Sequence, residues 1–259
     1  MNNKFLKIGV MDSGFGGLSV LNELSKKIPS ADLVYYGDLA NSPYGEKSKD
    51  NVIFYVDEIC KFFLSKEVDA ILLACNTATS VSVDSIRKKY SIPIFGMEPA
   101  IKPAILENPN EIIAVLATPL TLKEKKFLEL GKNLEQENRI YSISCAGLSK
   151  LIDEANFNEI EIYLKPILED LQTRKINTLV LGCTHYVLIK NLFLNHNPYF
   201  KIYDGNKGTA NHIEKTLIPL PIEREASLDI FLNGGSDKDF EIAYTYLNNH
   251  LHNEENYVK

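Results

Sequence analysis

The chain has 259 residues, 45% of them hydrophobic and 24% charged, and carries a net charge of −6 at pH 7. That is enough apolar material for one large or two modest cores. A weakly acidic chain without a basic block is a poor partner for nucleic acid. No apolar run is long enough to span a membrane, and "MNNKFLKIGVMDSG" lacks a cleavable-signal pattern, which predicts a cytoplasmic protein with no membrane partner. In that compartment Cys60, Cys75, Cys145 and Cys183, which form no CxxC pair, are expected to be free thiols.

In chain order, "KIGVMD" (7–12) reads as a buried strand and "GGLSVLNELSKKI" (16–28) as the helix after it. "ADLVYYGD" (31–38) is a second strand. "DNVIFYVDEICKFFLSKE" (50–67) has helical spacing, with Asp50 as its cap and Val52, Val56, Cys60 and Phe63 on one stripe. "VDAILLAC" (68–75) is a strand, "TSVSVDSIRKKY" (79–90) a helix and "IPIFGM" (92–97) a strand. This alternation predicts an α/β fold with mostly parallel sheet.

The second half restarts the pattern. "IIAVLATPLT" (112–121) parallels "KIGVMDSG", placing Thr118 where Ser13 stands; "RIYSISC" parallels "LVYYGD"; "NTLVLGCTH" parallels "DAILLACNT". The expected fold is two similar doubly wound, mostly parallel-sheet domains that face each other across a cleft and derive from a diverged internal duplication. Residues 1–98 with 213–259 form the first and 99–212 the second. After 212 come a helix, the strand-like "SLDIFLNGG" and the helix "DKDFEIAYTYL", which complete the first domain; the polar "NNHLHNEENYVK" (248–259) is expected to fray.

In parallel α/β sheets, ligands sit beyond the carboxyl ends of the strands. Asp12, Ser13, Cys75, Asn76, Thr77, Thr118, Cys183, Thr184 and His185 are all predicted there. Two facing thiols can invert a stereocentre: one thiolate removes a proton from carbon and the opposite thiol returns one on the other face. Cys suits both roles because its ordinary pKa is about 8.5 and local donors lower it. Asp12 near Cys75 and His185 near Cys183 are the natural helpers, although Asp12 reads equally well as a helix cap. The small residues of "DSGFGG" precede a helix whose free N–H groups suit a carboxylate, and fixed donors also accommodate the charge that builds as an α-proton leaves. Cys60 and Cys145 read as core residues. A nucleotide-binding regulatory module is the rival class, but Gly14, Gly16 and Gly17 do not make GxGxxG and no P-loop lysine follows. The Cys and His residues show no zinc-ligand spacing.

The ordered set "GVMDSGFGG", "GDLANSPYG", "LLACNTATS", "GMEPAIKPA", "VLATPLT" and "LGCTHYVL" resembles the glutamate racemases of the aspartate/glutamate racemase superfamily over nearly the whole chain. The resemblance implies cofactor-independent interconversion of L- and D-glutamate for peptidoglycan. It implies that Cys75 deprotonates the D-isomer and Cys183 the L-isomer, supported by Asp12 and His185. Ser13, Tyr44, Gly45, Asn76, Thr77, Thr118 and Thr184 would hold the substrate, in a homodimer whose domains move. The chain departs from the pattern at Asn41, where Arg is usual, at Val187, where Pro is usual, and at Asp153, which stands for a supporting Glu. Aspartate is the nearest rival substrate.

Overall fold

Central parallel strands must be apolar along their whole length because helices cover both faces. In the computed structural model, which describes residues 5–125, 127, 129, 137–217 and 226–253, the strands ending at the two predicted cysteine tips meet that demand. The first domain opens with β1 (Lys7–Asp12), α1 (Leu18–Lys27), β2 (Asp32–Gly37), α2 (Lys49–Ser65), β3 (Ala70–Leu73), α3 (Asn76–Lys89) and β4 (Ile94–Gly96). Then come α4 (Ile101–Glu107), β5 (Ile113–Ala117), α5 (Pro119–Lys123), β6 (Ile140–Ser144), α6 (Leu148–Asp153), α7 (Phe157–Thr173), β7 (Thr178–Leu181), α8 (Thr184–Leu188), α9 (Lys190–His196) and β8 (Lys201–Tyr203). The described chain closes with α10 (Asn206–Leu217), β9 (Leu228–Leu232) and α11 (Asp237–Asn253). Every residue of β3, β5 and β7 is buried. The polar tail enters α11, and its last part, 254–259, lies outside the described residues.

The strand orders are β4-β3-β1-β2-β9 and β6-β5-β7-β8, with every pairing parallel. Read from the other edge, β8-β7-β5-β6 repeats β4-β3-β1-β2, so β5 is the counterpart of β1 and β7 of β3. Cys75 and Cys183 therefore follow equivalent strands, each two residues beyond the last strand residue. Among the described residues, no helix is long and apolar enough to cross a membrane.

Two local details differ from the reading of the sequence. Ser48, not Asp50, caps α2: its backbone is extended and its Oγ accepts the Asn51 N–H at 3.3 Å, whereas Asp50 is already within the first turn. Helix α3 starts at Asn76, earlier than its apolar spacing suggests, because the Cys75 sulfur serves as the cap and accepts the Ala78 N–H at 3.5 Å. Asn76 and Thr77 thus open a helix rather than a loop, and backbone N–H groups of that first turn point past the strand tip.

The predicted stripe of α2 is buried, with Phe63 lying flat against β1: a Cβ on Gly9 would come within 2.7 Å of its ring. Phe63 is fully buried among Val52, Val56, Ile71 and Leu73. Phe63→Ala is expected to cost about 3–5 kcal/mol of unfolding free energy, read as a lowered urea midpoint. On the opposite face of this sheet α1 packs against α10 and α11, and the Phe15 ring meets Tyr246 of α11 at 6.1 Å.

Candidate active site

Strand β1 ends at Asp12, which has no exposed surface. Its Oδ1 accepts the Gly14 N–H at 3.0 Å, so the carboxylate does shape the loop that follows, though the N-cap of α1 is Gly17. Its Oδ2 accepts the Thr184 hydroxyl at 2.8 Å, from the other domain. Ser13 Oγ lies 3.7 Å from Cys75 Sγ. Thr77 reaches across the cleft as well: its hydroxyl is 2.9 Å from that of Thr118 and 3.1 Å from that of Thr121, and the latter two are 2.9 Å apart. Gly45 is pressed so closely to Thr118 that a Cβ would sit 2.5 Å from it.

On the second strand tip, Cys183 Sγ is 3.8 Å from His185 Nδ1. The other ring nitrogen, Nε2, is 2.8 Å from Asp153 Oδ1 at the end of α6. Asp12 Oδ1 also lies 3.8 Å from Nδ1, so the imidazole stands between one carboxylate from each domain. Asp153 in turn accepts the Phe15 N–H on Oδ1 and the Ser42 hydroxyl on Oδ2, both at 3.0 Å. The small residues of "DSGFGG" are explained by this docking: a Cβ on Gly14 would stand 2.7 Å from His185 Nε2, and one on Gly16 would stand 2.6 Å from the His185 backbone nitrogen. The anion met by this loop is thus a carboxylate of the protein itself.

Burial sets the charges. It raises the Asp12 carboxyl above its ordinary value, with His185, the Gly14 N–H and the Thr184 hydroxyl pulling the other way. It pushes the Cys75 thiol up to about 12, helped by the nearby charges of Asp12 and Cys183 and opposed by the Ala78 N–H and Ser13. Burial works against charge on His185 too, but Asp153, Cys183 and Asp12 together hold its pKa well above the usual value. The site therefore pairs a protonated Cys75 thiol with a cationic His185 beside Cys183. Both cysteines are nearly sealed, 4% and 6% exposed.

The structure gathers most of the sequence candidates around one interdomain seam: Asp12, Gly45, Thr77, Thr118, Asp153, Cys183, Thr184 and His185 touch across it or belong to its hydrogen-bond chain. Cys75 lies within reach of the charges of Asp12 and Cys183, and Ser13 joins through Cys75. Tyr44 is buried there, and its hydroxyl donates to Asp38 Oδ2 at 2.5 Å. Asn76 bonds the Met97 carbonyl through Nδ2 at 3.3 Å, leaving Oδ1 buried without a partner among the described residues. Asn41, at the position of an expected arginine, supplies amide donors to Asp38 at 3.0 and 3.1 Å, and Asn233 adds a third at 2.7 Å, so neutral donors hold that buried carboxylate. Val187 is buried within α8. Cys60 and Cys145 are buried free thiols; Cys145 packs in the same core cluster as Cys183, and its Sγ donates to the Ile143 carbonyl at 3.7 Å.

Thr121, Ser42 and Phe15 are the members that sequence reasoning missed. Thr121 carries a readable signal, since Thr118 and Thr121 have the spacing of a helix cap and its N3 residue, and the Thr121 N–H donates to Thr118 Oγ1 at 3.3 Å. Ser42 and the Phe15 N–H carry none.

Comparison with known proteins places the chain in a family. The glutamate racemase of Leptospira interrogans serogroup Icterohaemorrhagiae serovar copenhageni (strain Fiocruz L1-130) is 55% identical over 212 residues, covering 82% of this chain and 83% of that one. That of Leptospira borgpetersenii serovar Hardjo-bovis (strain JB197) is 53% identical over 244 residues, covering 92% and 95%. Among solved structures, Escherichia coli glutamate racemase in complex with L-glutamate and the activator UDP-MurNAc-ala superposes with a TM-score of 0.81 at 27% identity, covering 95% of this chain and 96% of that one. The model of one family, Asp/Glu/hydantoin racemase, matches residues 8–212. With its paired sheets, its equivalent cysteine tips and these matches, the chain belongs to the Asp/Glu/hydantoin racemase family.

Proposed function

We propose that the chain interconverts L- and D-glutamate without a cofactor, by proton exchange at Cα between Cys75 and Cys183. The observation that carries this reading is the placing of two thiols at equivalent strand tips of one buried seam, each with its own polar partners. In the L-to-D direction Cys183 takes the α-proton as a thiolate, with the His185 cation as its counter-charge. The Cys75 thiol, held protonated by burial, delivers its proton on the opposite face. The reverse reaction exchanges the roles. Asp12 keeps Thr184 and His185 in register with the first domain.

Substrate would occupy the seam now closed by the threonine hydroxyls. The first turn of α3, at Asn76 and Thr77, offers backbone N–H groups to a carboxylate. The unpartnered Asn76 Oδ1 suits the substrate ammonium. Ser13, Thr118 and Thr184 add hydroxyls, while Tyr44 and Gly45 shape the wall. With the two cysteines so little exposed, the halves 1–98 with 213–259 and 99–212 must part to admit substrate. Glutamate is preferred to aspartate because the relatives that are 53–55% identical are glutamate racemases. The same reading implies a cytoplasmic homodimer supplying D-glutamate for peptidoglycan.

The test is incubation of the purified chain with each glutamate enantiomer in D2O without added cofactor. Chiral analysis should show approach to a racemate, and NMR should show deuterium entering Cα, with aspartate far slower. Unchanged enantiomeric purity with no deuterium at Cα would refute it.

Asp153→Asn tests the electrostatics. Asp153 leads the groups that hold His185 charged, so without it burial should return the ring to the neutral form near pH 7. A fall in kcat of about 10–100-fold is expected. In the parent chain the raised His185 pKa adds stability that is fully present below about pH 6.5 and is lost as pH climbs through the elevated folded value. The variant should lack that alkaline loss, read as Tm against pH.

A further inference from the structure

We propose that Ser42 is a positioning residue for proton transfer at Cys183: from across the cleft it fixes the plane of the Asp153 carboxylate, and through it the orientation of His185. The inference rests on the racemase reading and deepens it. Asp153 receives the Phe15 N–H on Oδ1, the atom that also faces His185 Nε2. Two partners on one oxygen leave the carboxylate free to swing about it. The Ser42 hydroxyl, 3.0 Å from Oδ2, is the bond that holds the second oxygen.

Ser42 is itself held. It lies between a 3-10 turn at Leu39–Asn41 and another at Tyr44–Glu46. On its far side Gly45 abuts Thr118, and Glu46 Oε1 accepts the Gly147 N–H at 3.0 Å, so the segment is docked on the second domain beyond Ser42. The Leu39–Asn41 turn on its near side is anchored by Asn41 on Asp38. The groups facing the His185 ring are Asp153 and Cys183 from its own domain and Asp12 and Tyr246 from the other. Asp153 is the partner of Nε2, and Nδ1 is left to Cys183 and Asp12 at 3.8 Å each. A carboxylate that swings about Oδ1 turns its lone pairs out of line with Nε2; the ring follows that direction and takes Nδ1 away from the Cys183 sulfur. A hydroxyl that holds such an outer carboxylate acts on the reacting atom only through orientation, the pattern by which outer-shell partners contribute about 10–100-fold.

The experiment compares Ser42→Ala and Ser42→Thr with the parent chain. At an equilibrium constant of one, kcat/KM must be equal in the two directions, so asymmetry is read from isotope effects. Ser42→Ala is expected to lower kcat about 10-fold with KM nearly unchanged. The effect of Cα-deuteration should rise with L-glutamate, whose proton goes to Cys183, and not with D-glutamate. Without substrate, 15N NMR of the His185 ring should show its titration falling toward the ordinary range. Ser42→Thr, which keeps the hydroxyl, should restore all three. Isotope effects that move equally in both directions, or a His185 titration untouched by Ser42→Ala, would overturn the proposal. A His185 titration that falls in Ser42→Ala and recovers in Ser42→Thr, in a chain that does not racemise glutamate, would uphold the positioning role and sink the substrate reading instead.

Discussion

Cys75→Ser and Cys183→Ser are each expected to lower kcat/KM for glutamate by at least about 10³-fold, equally in both directions. Each sulfur must act once per turnover, so neither can be spared. A serine hydroxyl cannot supply the anion near neutral pH, because its acidity is far weaker than that of a thiol. The fold should survive both changes. Cys75 caps α3 through its sulfur, and serine is a better N-cap than cysteine, so Tm should hold or rise in Cys75→Ser. Cys183 forms no side-chain cap; its replacement removes the contact to His185 and exchanges a sulfur for an oxygen at the rim of the core, so a small loss of Tm is expected there. Activity lost with the fold preserved separates a chemical role from a packing role. If both cysteines were merely small core residues, the variants would lose some stability and keep their rate.

Gly16→Ala should have the next largest effect, about 10²-fold in kcat, with a loss of about 1–3 kcal/mol in stability. The new methyl would lie 2.6 Å from the backbone nitrogen of His185 and 2.5 Å from its Nδ1. Backbone cannot rotate away as a side chain can, so the loop before α1 and the start of α8 must separate. That separation lengthens the Thr184–Asp12 bond and moves the imidazole from Cys183. Gly208 provides the control: nothing lies within 4 Å of the position its Cβ would take, and it sits in α10. Gly208→Ala should therefore leave kcat unchanged and raise stability by about 0.5–1 kcal/mol. Steady-state kinetics and urea melts on the three chains decide the matter.

Much of this architecture is legible before any coordinates. The apolar runs that became β1, β3, β5 and β7 are continuous because parallel strands are buried on both faces, and periodicity reports burial directly. The polar residues just after those runs mark the site because strand tips are where a parallel sheet stops needing apolar side chains. Helix starts were less legible. Ser48 and Asp50 are both good caps, and which one turns the chain depends on backbone conformation rather than residue type. Asn76 and Thr77 look like loop residues by composition, yet the Cys75 cap draws them into α3.

By itself the sequence determined two α/β repeats and a thiol at the equivalent strand tip of each, because strand burial and residue identity are local properties. Only the tertiary structure decided which group each carboxylate serves. Asp12 meets Thr184 across 172 positions and Ser42 meets Asp153 across 111. Such bonds depend on how closely two domain faces approach, and that distance is set by the packing of many side chains at once rather than by any spacing along the chain.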